Sequence, residues 1–301
     1  MSSLPPGNWP RRAIRKVPPI RGLSGSHPRS NHVCRPNLEG RLRSIVTAAK
    51  NGARSALRRI GFDLIRYNPQ KTHEAALARL LAVREIDTVL DIGANEGQYA
   101  TMVRRAGFRE KIISFEPLAE AHSKLRQAAA HDPLWTVAPR TALGDHEGTL
   151  LMHVAANSAS SSALPMLDAH LQAAPESAYI GCVTVPVSRL DTVADDMHVD
   201  GQNLFLKIDV QGFESKVLDG APRLLDRIRG VQLELSLVPL YEGETLFLSQ
   251  VDCLARKDFE LWGLMPSFID QKTGRTLQVD GIFFRPDARS NGVQVLEEIK
   301  E

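Results

Sequence analysis

The sequence predicts an α/β fold built on a doubly wound, mostly parallel sheet. Three observations lead there. Short apolar runs alternate with stretches of helical periodicity between residues 74 and 138, the pattern of βαβαβ units. Two apolar runs, Val89-Leu90-Asp91-Ile92-Gly93 and Leu206-Lys207-Ile208-Asp209-Val210-Gln211-Gly212, end in a carboxylate and a glycine turn, as strands that deliver a ligand site at their carboxyl ends do. The 301 residues, 43% of them hydrophobic, suffice for one large domain with an appendage.

Residues 1–36 are rich in Pro, Gly, Ser and Arg without periodicity and are expected to be a disordered basic tail. Residues 37–84 should be helical. Within 38–60, Leu42, Ile45, Val46, Ala49, Ala53, Ala56, Leu57 and Ile60 fall on one face with Arg on the other, suited to packing on the domain or a partner, or to a membrane surface. A helix over Glu74–Val83 leads into the main domain, expected over 85–287 and followed by a tail over 288–301. Its strands should be Thr88–Ile92, Lys111–Phe115 and Trp135–Ala138, with helices from Gly97 to Ala106 and from Ala119 to Ala130 between them. Thr149–Val154 and Cys182–Val187 alternate like a hairpin, and residues 155–181 between them read as a long loop, a candidate lid. Leu204–Ile208 reads as a buried strand, Glu214–Leu218 as a helix and Gly230–Leu235 as a strand. A helix at Leu246–Lys257 and strands at Phe259–Leu264 and Gly281–Arg285 complete the domain.

Charge is uneven. Residues 1–60 carry eleven Arg, two Lys and the single acid Glu39; the whole chain is +2, which leaves the rest acidic. The tail could be a basic arm for anionic lipid or nucleic acid, or simply be solvated. Cys34, Cys182 and Cys253 form no Cys-x-x-Cys pair, and no apolar run approaches the ~20 residues of a membrane span. These features point to a reducing, cytoplasmic setting with peripheral membrane contact as an option.

The chemistry lies in the turns. A dinucleotide site needs Gly-x-Gly-x-x-Gly to seat a pyrophosphate on a helix N-terminus. This chain has Asp91-x-Gly93-x-Asn95-x-Gly97. An anion repels pyrophosphate but attracts the ammonium of an amino-acid moiety, so the loop suits S-adenosylmethionine over NAD. A ligand-free glycine turn is the plainer alternative. Glu116, at the end of the second strand, is placed to accept hydrogen bonds from a ribose diol. Asp209 could be a general base for a substrate hydroxyl or a ligand for Mg²⁺, with Gln211, Glu214 or Glu234 completing an oxygen set. It could also cap the following helix. Thr141–Asp145 could meet an adenine edge or be an ordinary turn. Asn157–Ser162 could supply hydroxyl donors or be a polar linker, and Asp280 could face the site or occupy a turn.

These segments in this order resemble the FkbM-type methyltransferases over roughly residues 75–286: Asp91 to Gly97, Phe115-Glu116-Pro117, Ala142 to Asp145, Asn157 with Ser160–Ser162, Arg189-Leu190-Asp191, Leu206 to Glu214 and Val279 to Phe283. The resemblance implies a class I, Rossmann-like fold with a seven-stranded sheet, and O-methylation of sugar or polyketide hydroxyls. It implies cofactor contacts from Asp91, Gly93, Ala94, Asn95, Gly97, Glu116, Gly144 and Asp145, with Asp209, Gln211 and Glu214 at the reaction centre. The expected acceptor is a sugar on a glycolipid or a secondary-metabolite glycoside. A non-catalytic cofactor-binding partner domain is the alternative from another class. A nucleic-acid methyltransferase is disfavoured by the acidic body and by Asp209-Val-Gln-Gly, where amine-methylating enzymes often carry Asp/Asn-Pro-Pro-aromatic.

Overall fold

The computed structural model describes residues 72–286 and, before them, residues 52, 54, 55 and 57–59. The chain divides into units Met1–Arg66 and Tyr67–Glu301. The described residues of the first unit are helical. The predicted tail 1–36, most of the amphipathic stretch 38–60 and the tail 288–301 lie outside the described residues.

The second unit begins with α1 (His73–Val83), β1 (Thr88–Ile92), α2 (Gln98–Ala106), β2 (Lys111–Phe115), α3 (Ala119–Ala129) and β3 (Trp135–Val137). Next come β4 (Ala142–Gly144), β5 (Gly148–Ala155), α4 (Asp168–Ala173) and β6 (Tyr179–Arg189). Then follow α5 (Leu190–Asp196), β7 (Leu204–Ile208), α6 (Glu214–Asp219), α7 (Pro222–Leu225), β8 (Ile228–Ser236), α8 (Phe247–Ala255), β9 (Glu260–Ile269) and β10 (Thr276–Phe284).

Seven strands form one sheet in the order β3-β2-β1-β7-β8-β10-β9. The first five are parallel, and the β9–β10 hairpin closes one edge with β10 antiparallel to β8. This is the class I, Rossmann-like sheet. Strands covered on both faces are mainly apolar, and β1 and β7, buried at every position, are so apart from Thr88, Asp91 and Lys207. Alternate residues then separate two cores. Leu90, Ile92, Leu206 and Ile208 face a cluster containing Leu190, Val217, Leu224 and Leu254 of α5 to α8. Val89, Ile112, Phe205 and Ile282 face Leu77, Leu81, Val103 and Leu125 of α1 to α3. The sheet β4-β6-β5 sits beside this body, with Met152, Val185 and Val187 packed on Leu118.

The structure differs from expectation in three places. Residues 155–181 are not a structureless loop: they contain α4 and a 3₁₀ turn at Pro175–Ser177, tied down by bridges His153–Ser162 and Met166–Tyr241. Ala142–Gly144 is a strand paired with β6 rather than a plain turn. Asp209 does not cap α6, whose N-cap residue is Phe213.

The β1 and β7 turns meet at Gly93. It has φ +72°, and a Cβ there would lie 1.9 Å from the Asp209 carbonyl oxygen. Gly93→Ala should therefore destabilise the domain by about 3 kcal/mol, a fall in Tm of roughly 6–12 °C by scanning calorimetry. Gly274→Ala, at φ +74° with open space around its Cβ, should cost only the backbone part of that.

Candidate functional site

A polar row crosses the centre of the buried sheet. Ser114, Asp91, Lys207 and Gln232 occupy matching positions on β2, β1, β7 and β8, so their side chains leave the same face. Asp91 is 0% exposed and Lys207 6%. Their charged groups lie 3.2 Å apart. Lys207 Nζ also donates to the Gly93 carbonyl at 3.2 Å and stands 3.5 Å from Asp209. Ser114 Oγ donates to Asp91 at 3.1 Å and accepts from the Trp135 indole at 3.0 Å. Burial would strip the Lys207 proton, but the carboxylates of Asp91 and Asp209 outweigh it and raise the pKa above the ordinary lysine value. The ammonium that Asp91 faces is thus supplied by the chain itself. Asp91 lies behind the site wall, not in it.

In front of this row, at the carboxyl ends of the strands, opens a cavity of about 410 Å³. One end is formed by Gly93, Ala94 and Asn95 with Glu116. The Glu116 carboxylate accepts from the backbone N–H of Asn95 at 2.9 Å and of Leu118 at 2.8 Å. Burial outweighs those donors and pushes its pKa up to about 7. Each oxygen keeps a lone pair for a further donor. Leu118, Ala142, Leu143, Met152 and Phe213 make an apolar slot beside it.

Besides Asp91, three predicted contacts do not reach the cavity. A Cβ on Gly97 would strike the Trp135 ring at 2.8 Å, so that glycine serves packing under α2. Gly144 lies against Gly220, whose own Cβ would sit 1.9 Å from the Gly144 carbonyl. Asp145 points to the surface, where His146 at 2.8 Å and Lys216 at 2.9 Å hold its pKa at about 2. Ala142 and Leu143 line the slot in their place. The serine run does meet the site: Ser158 Oγ donates to Asn95 at 3.2 Å, and Ser162 Oγ donates to the Gln211 carbonyl at 2.6 Å.

The other end is acidic. Asp209, Glu234 and Asp280 line it together with Gln211 and Gln232. Glu234 and Asp280 face each other directly across β8 and β10. The Gln211 amide donates to Asp209 at 2.8 Å and to Glu234 at 2.7 Å. Burial, then the charges of Asp209 and Asp280, raise Glu234 well above the carboxylate range; burial and Asp209 bring Asp280 to about 6. Glu214 is a correction. Its carboxylate turns away from the cavity and accepts from the N–H groups of Val210 and Gly212, both at 3.2 Å, bracing the turn. Burial raises it to about 7. Sequence reading missed Lys207 and Gln232, although a polar residue inside an otherwise apolar buried strand was the available signal.

Mg²⁺ does not fit this arrangement. Among the described residues no three His, Cys, Asp or Glu side chains are grouped to hold a metal ion. Gln211 presents amide donors to Asp209 and Glu234, and an ammonium already stands 3.5 Å from Asp209. Among the described residues, too, no helix is long and apolar enough to cross a membrane.

The Rossmann-like sheet with a cavity at its carboxyl ends, taken with the family match over residues 91–261, makes this an S-adenosylmethionine-dependent methyltransferase. The sequence profile of the Methyltransferase FkbM domain matches residues 91–261, and the chain belongs to that family. It is 26% identical over 189 residues to the 2-O-methyltransferase NoeI of Sinorhizobium fredii, a match covering 60% of this chain and 76% of NoeI. Among solved structures it is similar to magnesium protoporphyrin IX methyltransferase of Synechocystis, at 12% identity and TM-score 0.38, covering 79% of this chain and 97% of that one. It is also similar to TehB of Haemophilus influenzae, at 8% identity and TM-score 0.38, covering 70% of this chain and 62% of that one.

Lys207→Met should cost about 3–5 kcal/mol in denaturant melts, because Asp91 is left charged and buried. Asp91→Asn combined with Lys207→Met should cost less than the sum of the single changes, with a coupling of about 1 kcal/mol or more. The raised carboxylates add a pH dependence. Glu116 and Glu214, at about 7, and Asp280, at about 6, bind protons more tightly folded than unfolded, where the values are 4.5 and 3.8. Their contribution to stability therefore grows as pH falls through 7 towards 4.5 and is absent above 7. The Tm of the ligand-free protein should rise between pH 8 and about pH 5. Glu214→Gln keeps the acceptor oxygen but cannot titrate, and should flatten that rise.

Proposed function

We propose that this chain transfers a methyl group from S-adenosylmethionine to a hydroxyl oxygen of a neutral sugar carried by a glycolipid or a secondary-metabolite glycoside. The observation that carries this is the acidic lining of the cavity. Glu116, Asp209, Glu234 and Asp280 line it, and Lys207, the one cationic lining residue among the described residues, is engaged by Asp91 and Asp209. Such a wall favours a ligand bearing a sulfonium and an ammonium. It also disfavours a phosphorylated or uronate acceptor, and nucleic acid with it. Glu116 suits a ribose diol, and the slot beside it suits a purine. NoeI, named as a 2-O-methyltransferase, supports oxygen as the acceptor atom.

Bound S-adenosylmethionine supplies an electrophilic methyl on sulfur, so the protein's part is positioning and proton removal. Asp209, about one-third exposed at the cavity, accepts the hydroxyl proton as the oxygen attacks. Lys207 and Gln211 hold that carboxylate from behind. We assign this chemistry to residues 85–287, with 37–84 as an N-terminal helical extension and any membrane contact left to the basic tail.

The full chain should bind S-adenosylhomocysteine but neither NAD nor NADP in calorimetry. Glu116→Gln should weaken that binding about tenfold, since one of two buried N–H groups loses its acceptor. Asp209→Asn should lower kcat by about 10²–10⁴ while leaving S-adenosylhomocysteine affinity intact. Turnover would be read as labelled methyl transfer to paired neutral and uronate glycolipids. Preference for the uronate acceptors, or binding of NAD alone, would remove the proposal.

A further inference from the structure

Tyr241 lies on the segment after β8, thirty residues from Gln211, and its side chain is 1% exposed. Its hydroxyl donates to Gln211 Oε1 at 2.7 Å and approaches the Ser160 carbonyl at 3.4 Å. The β7 turn is shaped to receive it. Gln211 (φ 55°) and Gly212 (φ 92°) are consecutive left-handed residues, and a Cβ on Gly212 would stand 3.0–3.2 Å from Tyr241 Cβ, Cγ and Cδ2. Only glycine lets the tyrosine lie so close to that backbone. Behind it, Glu244 accepts from the backbone N–H of Leu240 and Tyr241, and the ring sits among Leu240, Leu277 and His170. Burial keeps the phenol protonated far beyond its ordinary range. It is therefore a permanent donor.

A permanent donor at Oε1 fixes which way the Gln211 amide points. We propose that Tyr241 is a positioning residue for methyl transfer: by donating to Gln211 Oε1 it commits the amide N–H groups to Asp209 and Glu234, which keeps the Asp209 carboxylate aimed at the acceptor hydroxyl. This rests on the proposed role of Asp209. The surroundings of Asp209 are Lys207 on its own strand, Asp91 of β1, Glu234 of β8, Asp280 of β10 and Glu214 of α6. Lys207 is the only cation among them in the described residues, and Gln211 adds one neutral N–H donor to Asp209 and one to Glu234.

The test needs no acceptor. S-adenosylmethionine carries a sulfonium and S-adenosylhomocysteine does not, so the ratio of their affinities reports the ionisation of the acidic end. It should be measured calorimetrically on the full chain from pH 5 to 9. In the wild type the preference for the sulfonium should fall on the acid side. Tyr241→Phe should move that midpoint to higher pH while S-adenosylhomocysteine affinity above pH 8 stays within about twofold. Gln211→Met, close in shape but without the amide, should give the same shift and covers the case of a Tyr241→Phe protein that does not fold. Leu277→Ala loosens the same cluster without touching the hydroxyl and should leave the midpoint in place. A wild-type midpoint in both Tyr241→Phe and Gln211→Met would overturn the positioning role. Failure of either ligand to bind the wild type would instead overturn the function on which it rests.

Discussion

The buried contact between Asp91 and Lys207 sets the terms for everything around it. The two occupy matching positions on β1 and β7, adjacent central strands with every residue buried. Neither charge could stand alone there, since an unpaired buried ion costs several kcal/mol. Together, with Ser114 and the Gly93 carbonyl taking the remaining bonds, they are tolerated and fix the register of the two strands. Register matters because the turns that follow approach within the space of a missing methyl group at Gly93. A slip of one residue would turn the whole polar row into the opposite core. The pair also decides what each acid is free to do. Asp91 is engaged internally, by Lys207 and Ser114. Asp209, two residues past Lys207, feels the same ammonium from the cavity side.

In contrast, the acidic end is arranged against local stability. Glu234 and Asp280 stand directly opposite each other on antiparallel strands, where like charges are unfavourable. Burial, then the charge of Asp209, raises the pKa of both, and Asp280 adds to the rise at Glu234. A fold that breaks a local rule in a cavity, while keeping it elsewhere, concentrates the violation where a ligand can relieve it. Amide side chains mediate the crowding: Gln211 separates Asp209 from Glu234, and Gln232 lies beside Asp280. An amide can donate to two carboxylates without adding charge, which a lysine at the same place could not do.

Much of the frame was legible in the sequence because its signals are local. β1, β2 and β7 begin and end where the apolar runs do, since parallel strands covered on both faces are mainly apolar. Glu116 and Asp209 reach the cavity because each is the first residue past the carboxyl end of its strand, β2 and β7. Where prediction failed, the deciding neighbour was distant in sequence. Gly97 answers to Trp135, Gly144 to Gly220, and Asp145 to Lys216. For each of these motif residues the partner could not be read from spacing. Asp91 shows the same limit: the electrostatic reasoning was sound, yet the ammonium it required was Lys207. Alternation held an unused clue, since Gln232 and Glu234 are polar at a spacing of two inside the buried strand β8.

The two ends of the cavity therefore differ in origin. The Gly93–Leu118 end comes from one βαβ unit, and a single short stretch of chain can carry its chemistry. The acidic end is assembled from the β7 turn, β8, the segment bearing Tyr241 and β10, with the serine run of residues 158–162 laid across it. Four segments converge only because β10 is inserted beside β8 and the 155–181 insertion folds back onto the β7 turn through Ser162. Substitutions there can reshape the acceptor region without disturbing Glu116 or the β1 turn. The Asp91–Lys207 pair is the boundary between the two, which is why it belongs to the sheet and not to either ligand.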